Sequence, residues 1–205
     1  MKILLLVLMC LTSCAQAAPS FKRLGELSYF VHAGKGHCTG TAVARHTLLV
    51  ADHCVTDTTT TVTIDGKPAA IQAQISDGED HAFLVLDMSF PKWAQMRQAP
   101  LELGEPVYMI GNPADLREIL RIGHYAGSDD ATFLHPDTGK AVTTKGLFFG
   151  YASAGGDSGA AIFDRQGRIV AVNSGSYMVQ GLSMAFALPM KFSVAQRRAA
   201  GVLRR

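Results

Sequence analysis

The sequence predicts an all-β protein, and three observations favour that fold. Twenty Gly and 8 Pro are spread through the 205 residues, and both residue types supply turns and interrupt helical runs. The apolar runs are short and alternate with turn residues, as expected for strands. With 48% hydrophobic and 18% charged residues, the chain can bury a core, which excludes a disordered protein.

The predicted strands form two sets of about six, separated by a connector at residues 90–100 that carries the only Trp. The first set is predicted at residues 27–32, 40–44, 47–51, 59–64, 69–75 and 81–86. The second set is predicted at residues 107–110, 120–126, 141–149, 159–163, 169–173 and 181–188. Two such sets indicate two barrels or sandwiches.

The end of the chain differs in charge from the rest. The final fifteen residues hold five Lys and Arg and no acid, whereas residues 18–190 hold 13 basic against 17 acidic residues. The net charge of only +2 gives little support to nucleic-acid binding. Apolar and basic residues at helical spacing predict a short helix at 193–203, and we favour a docking helix with a solvated basic face over membrane-surface binding.

Residues 1–17 have the pattern of a secretory signal, because Lys2 precedes an apolar run too short to span a bilayer. The alternative is a buried first strand. Ala-Gln-Ala at 15–17 predicts cleavage after Ala17, whereas Leu-Thr-Ser-Cys at 11–14 resembles a lipobox, in which Cys14 would be lipidated. Both predict a secreted or periplasmic protein, with membrane contact only if Cys14 is lipidated, and leave Cys38 and Cys54 as the remaining cysteines.

Three segments hold the residues that nucleophilic chemistry needs. Residues 154–159 read Ala-Gly-Gly-Asp-Ser-Gly, His53 follows a predicted strand, and Asp80 stands at the start of another. A serine hydroxyl is a poor nucleophile unless a neutral imidazole takes its proton, and a carboxylate then orients that imidazole. Asp77, Glu79 and Asp87 are the alternative carboxylates near Asp80.

In the order His, Asp, Ser, these segments resemble the chymotrypsin-like serine proteases. Val-Ala-Asp-His-Cys at 50–54 is similar to that family's T-A-A-H-C motif, residues 80–84 to D-x-A-L-L, and residues 156–160 to G-D-S-G-G. Residues 107–113 and 185–189 resemble the A-I-G-N-P and F-A-I-P strands of the compact bacterial, Deg-like branch. No length remains for the PDZ domains that Deg proteases carry.

The resemblance implies a double barrel of two six-stranded antiparallel β-barrels followed by the short helix. It divides a peptidase domain at 18–205 into a first barrel at 18–99, a second at 100–190 and a C-terminal helix at 191–205. It also implies a serine endopeptidase that acts on a protein or peptide substrate and uses no cofactor. The alternative is a pseudoprotease, a binding module that keeps the fold without turnover. The sequence leaves the oligomeric state and the natural substrate open.

By the same resemblance, Ser158 is the nucleophile, His53 the general base and Asp80 the residue that orients it. The N–H groups of Gly156 and Ser158 are expected to form the oxyanion hole. Two departures from the family pattern stand beside these residues: Asp52 precedes the His, and Ala160 replaces the last Gly of G-D-S-G-G. Neither departure changes a proton-transfer group.

The specificity pocket implied by the resemblance contains Ala152, Asn173, Ser174 and Ser176. Ala152 stands where trypsin-like members carry Asp, and Asn173 where glutamate-specific members carry His. We therefore expect a small or medium uncharged side chain at the cleavage site, and not Lys, Arg or Glu.

The remaining histidines and cysteines are expected to be structural. Cys38 and Cys54 are sixteen residues apart, the spacing of the family's disulfide beside the catalytic His, with two free thiols as the alternative. The other histidines show no paired ligand spacing, so we expect no metal and assign surface or turn positions to His32, His37, His46, His124 and His135. In digestive members of the family, a new Ile-Val-Gly-Gly amino terminus, made by cleavage, pairs with the Asp before the nucleophile. No such motif follows residue 17 here, so Asp157 needs another partner or remains at the surface. We therefore expect activity without an internal cut.

Overall fold

The computed structural model describes residues 18–34, 36–56, 58–134 and 141–203. The predicted signal at residues 1–17, with its lipobox, and His135 lie outside the described residues. The fold is all-β, as the sequence predicts, with a closed barrel and a second sheet in the arrangement of a chymotrypsin-like double barrel.

The first barrel contains six antiparallel strands, and each overlaps a predicted strand. They are β1 (Ser28–Ala33), β2 (Gly36–Ala44), β3 (Thr47–Val50), β4 (Thr61–Ile64), β5 (Lys67–Ser76) and β6 (Ala82–Leu86). The strand order β1-β2-β3-β6-β5-β4 closes because β1 also pairs with β4. Closure leaves this sheet without a free edge.

The second sheet contains seven strands in the order β11-β10-β7-β8-β9-β13-β12. They are β7 (Pro106–Gly111), β8 (Ile119–Leu134), β9 (Ala141–Phe149), β10 (Ala161–Phe163), β11 (Ile169–Val172), β12 (Gly175–Val179) and β13 (Leu182–Ala187). Strand β8 continues beyond residue 126, where the predicted strand ended, and forms a long hairpin with β9.

Strand β12 has no counterpart among the predicted strands and is the seventh strand of this sheet. It pairs with β13 from Gly175↔Phe186 to Val179↔Leu182, so only Gln180 and Gly181 connect the two strands. Both residues have positive φ, 47° and 84°, which matches the two-residue turns that fit the twist of a hairpin. The hairpin adds an edge strand directly after residue 174.

Strand alternation gives each barrel one face for its own core and one face for the other barrel. On β3, Leu48 lies in the core of the first barrel, whereas its neighbour Leu49 belongs to the cluster between the barrels. That shared cluster also contains Leu24, Leu27, Phe83, Tyr108, Ile110, Phe163, Ile169 and Val172. The two barrels therefore bury a common apolar interface.

Two short helices flank the strands. Helix α1 (Phe21–Gly25) was not predicted and is capped by the Ser20 side chain. Helix α2 (Val194–Ala199) begins after Ser193, which forms a capping box with Gln196. It is shorter than the predicted helix because Gly201 has a left-handed φ of 68°, a conformation that ends helices. Among the described residues, no helix has the length and apolarity needed to cross a membrane.

Candidate active site

His53 and Asp80 are brought together by two neighbouring strands of the first barrel. Strands β3 and β6 pair up to Val50↔Ala82, so the segment after β3 meets the segment before β6. His53 lies in a single 3₁₀ turn, Asp52–Cys54, and its Nδ1 is 2.8 Å from Oδ1 and 3.0 Å from Oδ2 of Asp80. The His53 backbone N–H also donates to Asp80 Oδ1, at 3.1 Å. The carboxylate therefore fixes both the ring and the backbone of His53.

The electrostatics of Asp80 favour its ionised form. Burial by itself raises the pKa of this carboxyl, whose side chain is only 16% exposed. The hydrogen bond and charge of His53, together with its backbone N–H, outweigh burial and hold the Asp80 pKa below its ordinary value. A carboxylate beside the imidazole stabilises positive charge on that ring.

The other candidate carboxylates have partners elsewhere. Asp77 lies 2.8 Å from His81 Nδ1, Glu79 pairs with Lys191, and Asp87 accepts from the Ala70 backbone N–H at 2.8 Å. Asp80 is the carboxylate of this group that contacts His53.

Ser158 lies in the turn before β10 of the second sheet and packs against the first barrel. Its carbonyl oxygen accepts from the Thr39 backbone N–H at 2.8 Å and is 4.0 Å from Cys54 Sγ, one residue from His53. The next residue, Gly159, has a φ of 82°, and a Cβ there would overlap the Thr39 carbonyl oxygen. Only glycine permits this close approach between the two barrels.

The hydroxyl of Ser158 donates to the Ser174 carbonyl oxygen at 3.4 Å, which is long for a hydrogen bond between oxygens. Such a weak bond leaves the hydroxyl able to rotate about χ1. Ser174 follows β11, so this contact also places the segment between β11 and β12 beside the candidate nucleophile.

Two backbone N–H groups at residues 154–158 are the candidates for an oxyanion hole. Within the described part of the chain, the N–H groups of Gly156 and Ser158 donate to no protein acceptor. Gly156 has a φ of 97°, and a Cβ there would overlap the Asn112 carbonyl oxygen. Its own carbonyl accepts from Thr39 Oγ1 at 2.8 Å, and Thr39 Oγ1 accepts from the Asn112 backbone and side chain, both at 3.0 Å. The motif search did not identify Thr39 or Asn112 as part of the site.

Asp157 has the partner that the sequence left open. Its side chain is fully buried, and Oδ2 lies 2.9 Å from Nη2 of Arg121 and accepts from the Ala154 N–H at 2.9 Å. Arg121, on β8, also donates from Nε to the Ala152 carbonyl at 2.7 Å. Burial raises the pKa of Asp157, against the lowering effects of the Ala154 N–H and the Arg121 charge. No sequence signal identified Arg121, because its partner is distant in the chain.

Asp52, which departs from the family motif at the position before His53, connects the His53 turn to β5 through hydrogen bonds. Its Oδ2 accepts from the Ser76 hydroxyl at 2.7 Å and its Oδ1 from the Gln74 amide at 3.3 Å. Burial raises the Asp52 pKa, and these two hydrogen bonds oppose that rise. The acid at this position therefore has a structural role.

Hydrogen bonds join the two segments that hold the predicted specificity residues. The Ser176 hydroxyl donates to the Ser153 carbonyl, and the Ser153 hydroxyl lies 2.7 Å from the Gly175 carbonyl and 3.0 Å from Ser176 Oγ. Ala152 is exposed. Asn173 is fully buried, and neither polar atom of its side chain has a partner among the described residues. Ser153, which joins these two segments, was not among the residues predicted from the sequence.

Cys38 and Cys54 form a disulfide beside His53. The two sulfurs and a ring nitrogen of His53 lie within 4.8 Å of one another, the one such grouping of metal-ligand types found in the described ranges. Because both sulfurs are bonded in the disulfide and Nδ1 of His53 contacts Asp80, we assign this group no metal.

A closed barrel and a second sheet with a His–Asp pair and a Gly-flanked Ser at their junction define the chymotrypsin-like serine protease class. Residues 38–172 match the trypsin-like peptidase domain, and the chain belongs to that family. No curated protein sequence matches the chain.

Several solved structures share the fold. The Rv3671c protease from M. tuberculosis in its active form superposes with a TM-score of 0.71 at 17% identity, covering 92% of this chain and 90% of that one. The serine endoprotease from Yersinia pestis gives 0.60 at 15% identity, covering 90% of this chain and 66% of that chain. The HtrA-type protease AlgW with tripeptide gives 0.63 at 20% identity, covering 84% of this chain and 60% of that chain. At 15–20% identity, these likenesses show that the chain shares the fold of these bacterial proteases.

Proposed function

We propose that the protein is an extracytoplasmic serine endopeptidase that cleaves protein or peptide substrates through Ser158, His53 and Asp80. The observation that carries this proposal is the 2.8 Å contact between His53 Nδ1 and Asp80, beside the segment that presents Ser158. Because Nδ1 is bonded to the carboxylate, we assign the role of proton acceptor to Nε2 of the ring.

In the first step, the Ser158 hydroxyl rotates away from the Ser174 carbonyl and gives its proton to His53 Nε2 as Oγ attacks the substrate carbonyl. The weak 3.4 Å bond to Ser174 opposes this rotation little. His53 then protonates the leaving amine, and an acyl-enzyme remains. A water molecule, deprotonated by His53, hydrolyses that ester and restores Ser158.

The Gly156 and Ser158 N–H groups would stabilise the oxyanion in both steps. They donate to no protein acceptor among the described residues, so they are available to the negative oxygen. Arg121 of the second sheet, through Asp157, and the Thr39 hydroxyl of the first barrel hold this backbone in place. Because Asp157 pairs with an internal arginine, we propose activity without cleavage to create a new amino terminus.

The predicted signal at residues 1–17 supports a secreted or periplasmic location, with lipidation at Cys14 as the variant form. The Cys38–Cys54 disulfide agrees with an oxidising compartment. The segments that flank Ser158 hold Ala152, Ser153, Asn173 and Ser176, which carry no charge. They support cleavage after a small or medium uncharged residue.

A fluorophosphonate probe tests the proposed reaction, because it forms a covalent bond only with an activated serine. We expect the wild-type protein to be labelled, Ser158→Ala to lose labelling, and the matched control Ser183→Ala on β13 to retain it. No labelling of the folded wild-type protein would favour the pseudoprotease and overturn the proposed function.

A further inference from the structure

The loop that presents Asp80 contains a second, buried carboxylate–imidazole pair. His81 Nδ1 lies 2.8 Å from Asp77 Oδ2, and both side chains are fully buried. The Asp77 backbone N–H also donates to the His81 carbonyl at 3.0 Å. Residues 77–81, here called the Asp80 loop, are therefore closed on one side by this pair, while Asp80 contacts His53 on the other.

The pair is held from outside the loop by residues 189–196, here called the C-terminal strap. The Lys191 backbone N–H donates to Asp77 Oδ2 at 2.8 Å. The Phe192 ring stacks on Phe83, with centroids 3.8 Å apart, and lies 6.4 Å from the His81 ring. Farther along the strap, the Gln196 amide donates to the Ser76 carbonyl at 2.7 Å, one residue before the loop.

Asp77 is surrounded as an ionised carboxylate would be. Burial raises its pKa, but the hydrogen bond and charge of His81, together with the N–H groups of Lys191 and Glu79, outweigh burial and hold the pKa below its ordinary value. Its Oδ1 accepts the Glu79 N–H at 3.0 Å, so both oxygens are engaged. This network fixes the conformation of the four residues from Asp77 to Asp80.

The strap connects β13 of the second sheet to the Asp80 loop of the first barrel. It follows β13, whose Phe186 carbonyl accepts from the Ser174 N–H at 2.8 Å beside the candidate nucleophile. The same stretch of chain thus contacts the Ser158 side of the site and, a few residues later, the Asp80 loop.

We propose that Asp77 and His81 are positioning residues for Asp80, and that the C-terminal strap completes this support. The inference rests on the proposed function, because it assigns the pair a purpose in that reaction. Asp80 has to meet both the ring and the backbone N–H of His53, and a displacement of about 1 Å can reduce a rate about 100-fold.

The test compares two substitutions of His81 by fluorophosphonate labelling. His81→Leu fills much of the volume but removes the donor to Asp77, whereas His81→Asn keeps an N–H group near the position of Nδ1. We expect the maximal labelling rate, kinact, to fall at least about 10-fold in His81→Leu, with the half-saturating probe concentration unchanged. His81→Asn should restore kinact to within about threefold of wild type. Thermal unfolding establishes that each variant is folded.

The matched control is His46→Leu, since His46 bonds to the Met88 carbonyl at 2.7 Å and lies at the opposite end of β3 from His53. It should leave kinact unchanged. If His81→Leu does not fold, Asp77→Asn supplies the same test, because it keeps the shape of the side chain while removing its charge. Wild-type kinact in a folded His81→Leu or Asp77→Asn, or equal losses in His81→Leu and His81→Asn, overturns the inference alone. An unlabelled wild-type protein instead overturns the proposed function.

Discussion

The two barrels build their halves of the site by different means. In the first barrel, His53 and Asp80 meet because β3 and β6 are hydrogen-bonded neighbours, so the sheet register itself sets their distance. In the second, Ser158 follows a loop whose shape depends on a buried ion pair and one hydroxyl from the other barrel. The proposed base is thus placed mainly by strand pairing, and the proposed nucleophile and oxyanion hole by a few individual side chains.

This difference predicts where the site is fragile. In the first half, many backbone hydrogen bonds hold the strand pair, so a substitution of Asp80 itself leaves the strands in place and removes chemistry, and only the Asp80 loop depends on the Asp77–His81 pair. The loop of the second half has few supports, so the loss of one of them changes geometry as well.

The largest effect is expected from Asp80→Asn. The amide keeps the shape of the side chain but favours the wrong tautomer of His53 and cannot stabilise the imidazolium, so kcat should fall about 10⁴-fold with little loss of stability. Peptide hydrolysis by the variant and by the control Asp87→Asn checks this, since Asp87 accepts from the Ala70 backbone N–H on β5. A loss smaller than tenfold would contradict the assignment of Asp80.

Arg121→Leu should give the next largest effect and change both activity and stability. It leaves the Asp157 carboxylate buried without its charged partner, which costs on the order of 3–5 kcal/mol of unfolding free energy. The displaced loop should weaken the oxyanion hole and lower kcat about 10²- to 10³-fold.

Urea unfolding and peptide hydrolysis measure the two quantities for Arg121→Leu. The control is Arg117→Leu, because Arg117 and its partner Asp65 are both about half exposed, and such a pair contributes less than about 1 kcal/mol. Wild-type kcat in Arg121→Leu would show that the backbone at residues 154–158 does not depend on this ion pair.

Thr39→Val is expected to have a smaller effect of the same kind. Valine has a similar shape, but it leaves the Gly156 carbonyl and the Asn112 donors without the hydroxyl that joins them. We expect a loss of about 1–3 kcal/mol in unfolding free energy and a decrease in kcat smaller than that of Arg121→Leu. Thr132→Val, at an exposed threonine pair on the β8–β9 hairpin, should change stability by no more than about 0.5 kcal/mol.

The same division explains what the sequence could reveal. His53, Asp80 and Ser158 stand in short motifs next to predictable strands, and alternation of apolar residues identified all six strands of the first barrel. Thr39 and Gly156 are 117 residues apart, and Arg121 on β8 is distant in the chain from its partner in the loop before β10, so no local pattern encodes either contact. Strand β12 was missed because its Gln-Gly turn lacks the usual Asn-Gly or Asp-Gly signature.

The smallest predicted effect compares the two buried acids by their dependence on pH. The folded-state pKa of Asp80 is lowered, so its contribution to stability is complete above the ordinary Asp value of about 3.9 and is lost as pH falls through the lower folded value. The folded-state pKa of Asp157 is raised, chiefly by burial. Its titration therefore favours folding below the ordinary value and opposes it as pH rises through the folded value.

Urea unfolding of the wild type, Asp80→Asn and Asp157→Asn between pH 3 and pH 7 separates these contributions, since asparagine does not titrate. On acidification, the stability advantage of the wild type over Asp80→Asn should shrink, while the stability of the wild type relative to Asp157→Asn should increase. Opposite slopes follow because the interactions with His53 lower the pKa of Asp80 by more than burial raises it. For Asp157, burial raises the pKa by more than its partners lower it. Parallel slopes would mean that Arg121 compensates Asp157 as fully as His53 compensates Asp80, and the distinction between the two halves of the site would then be one of geometry alone.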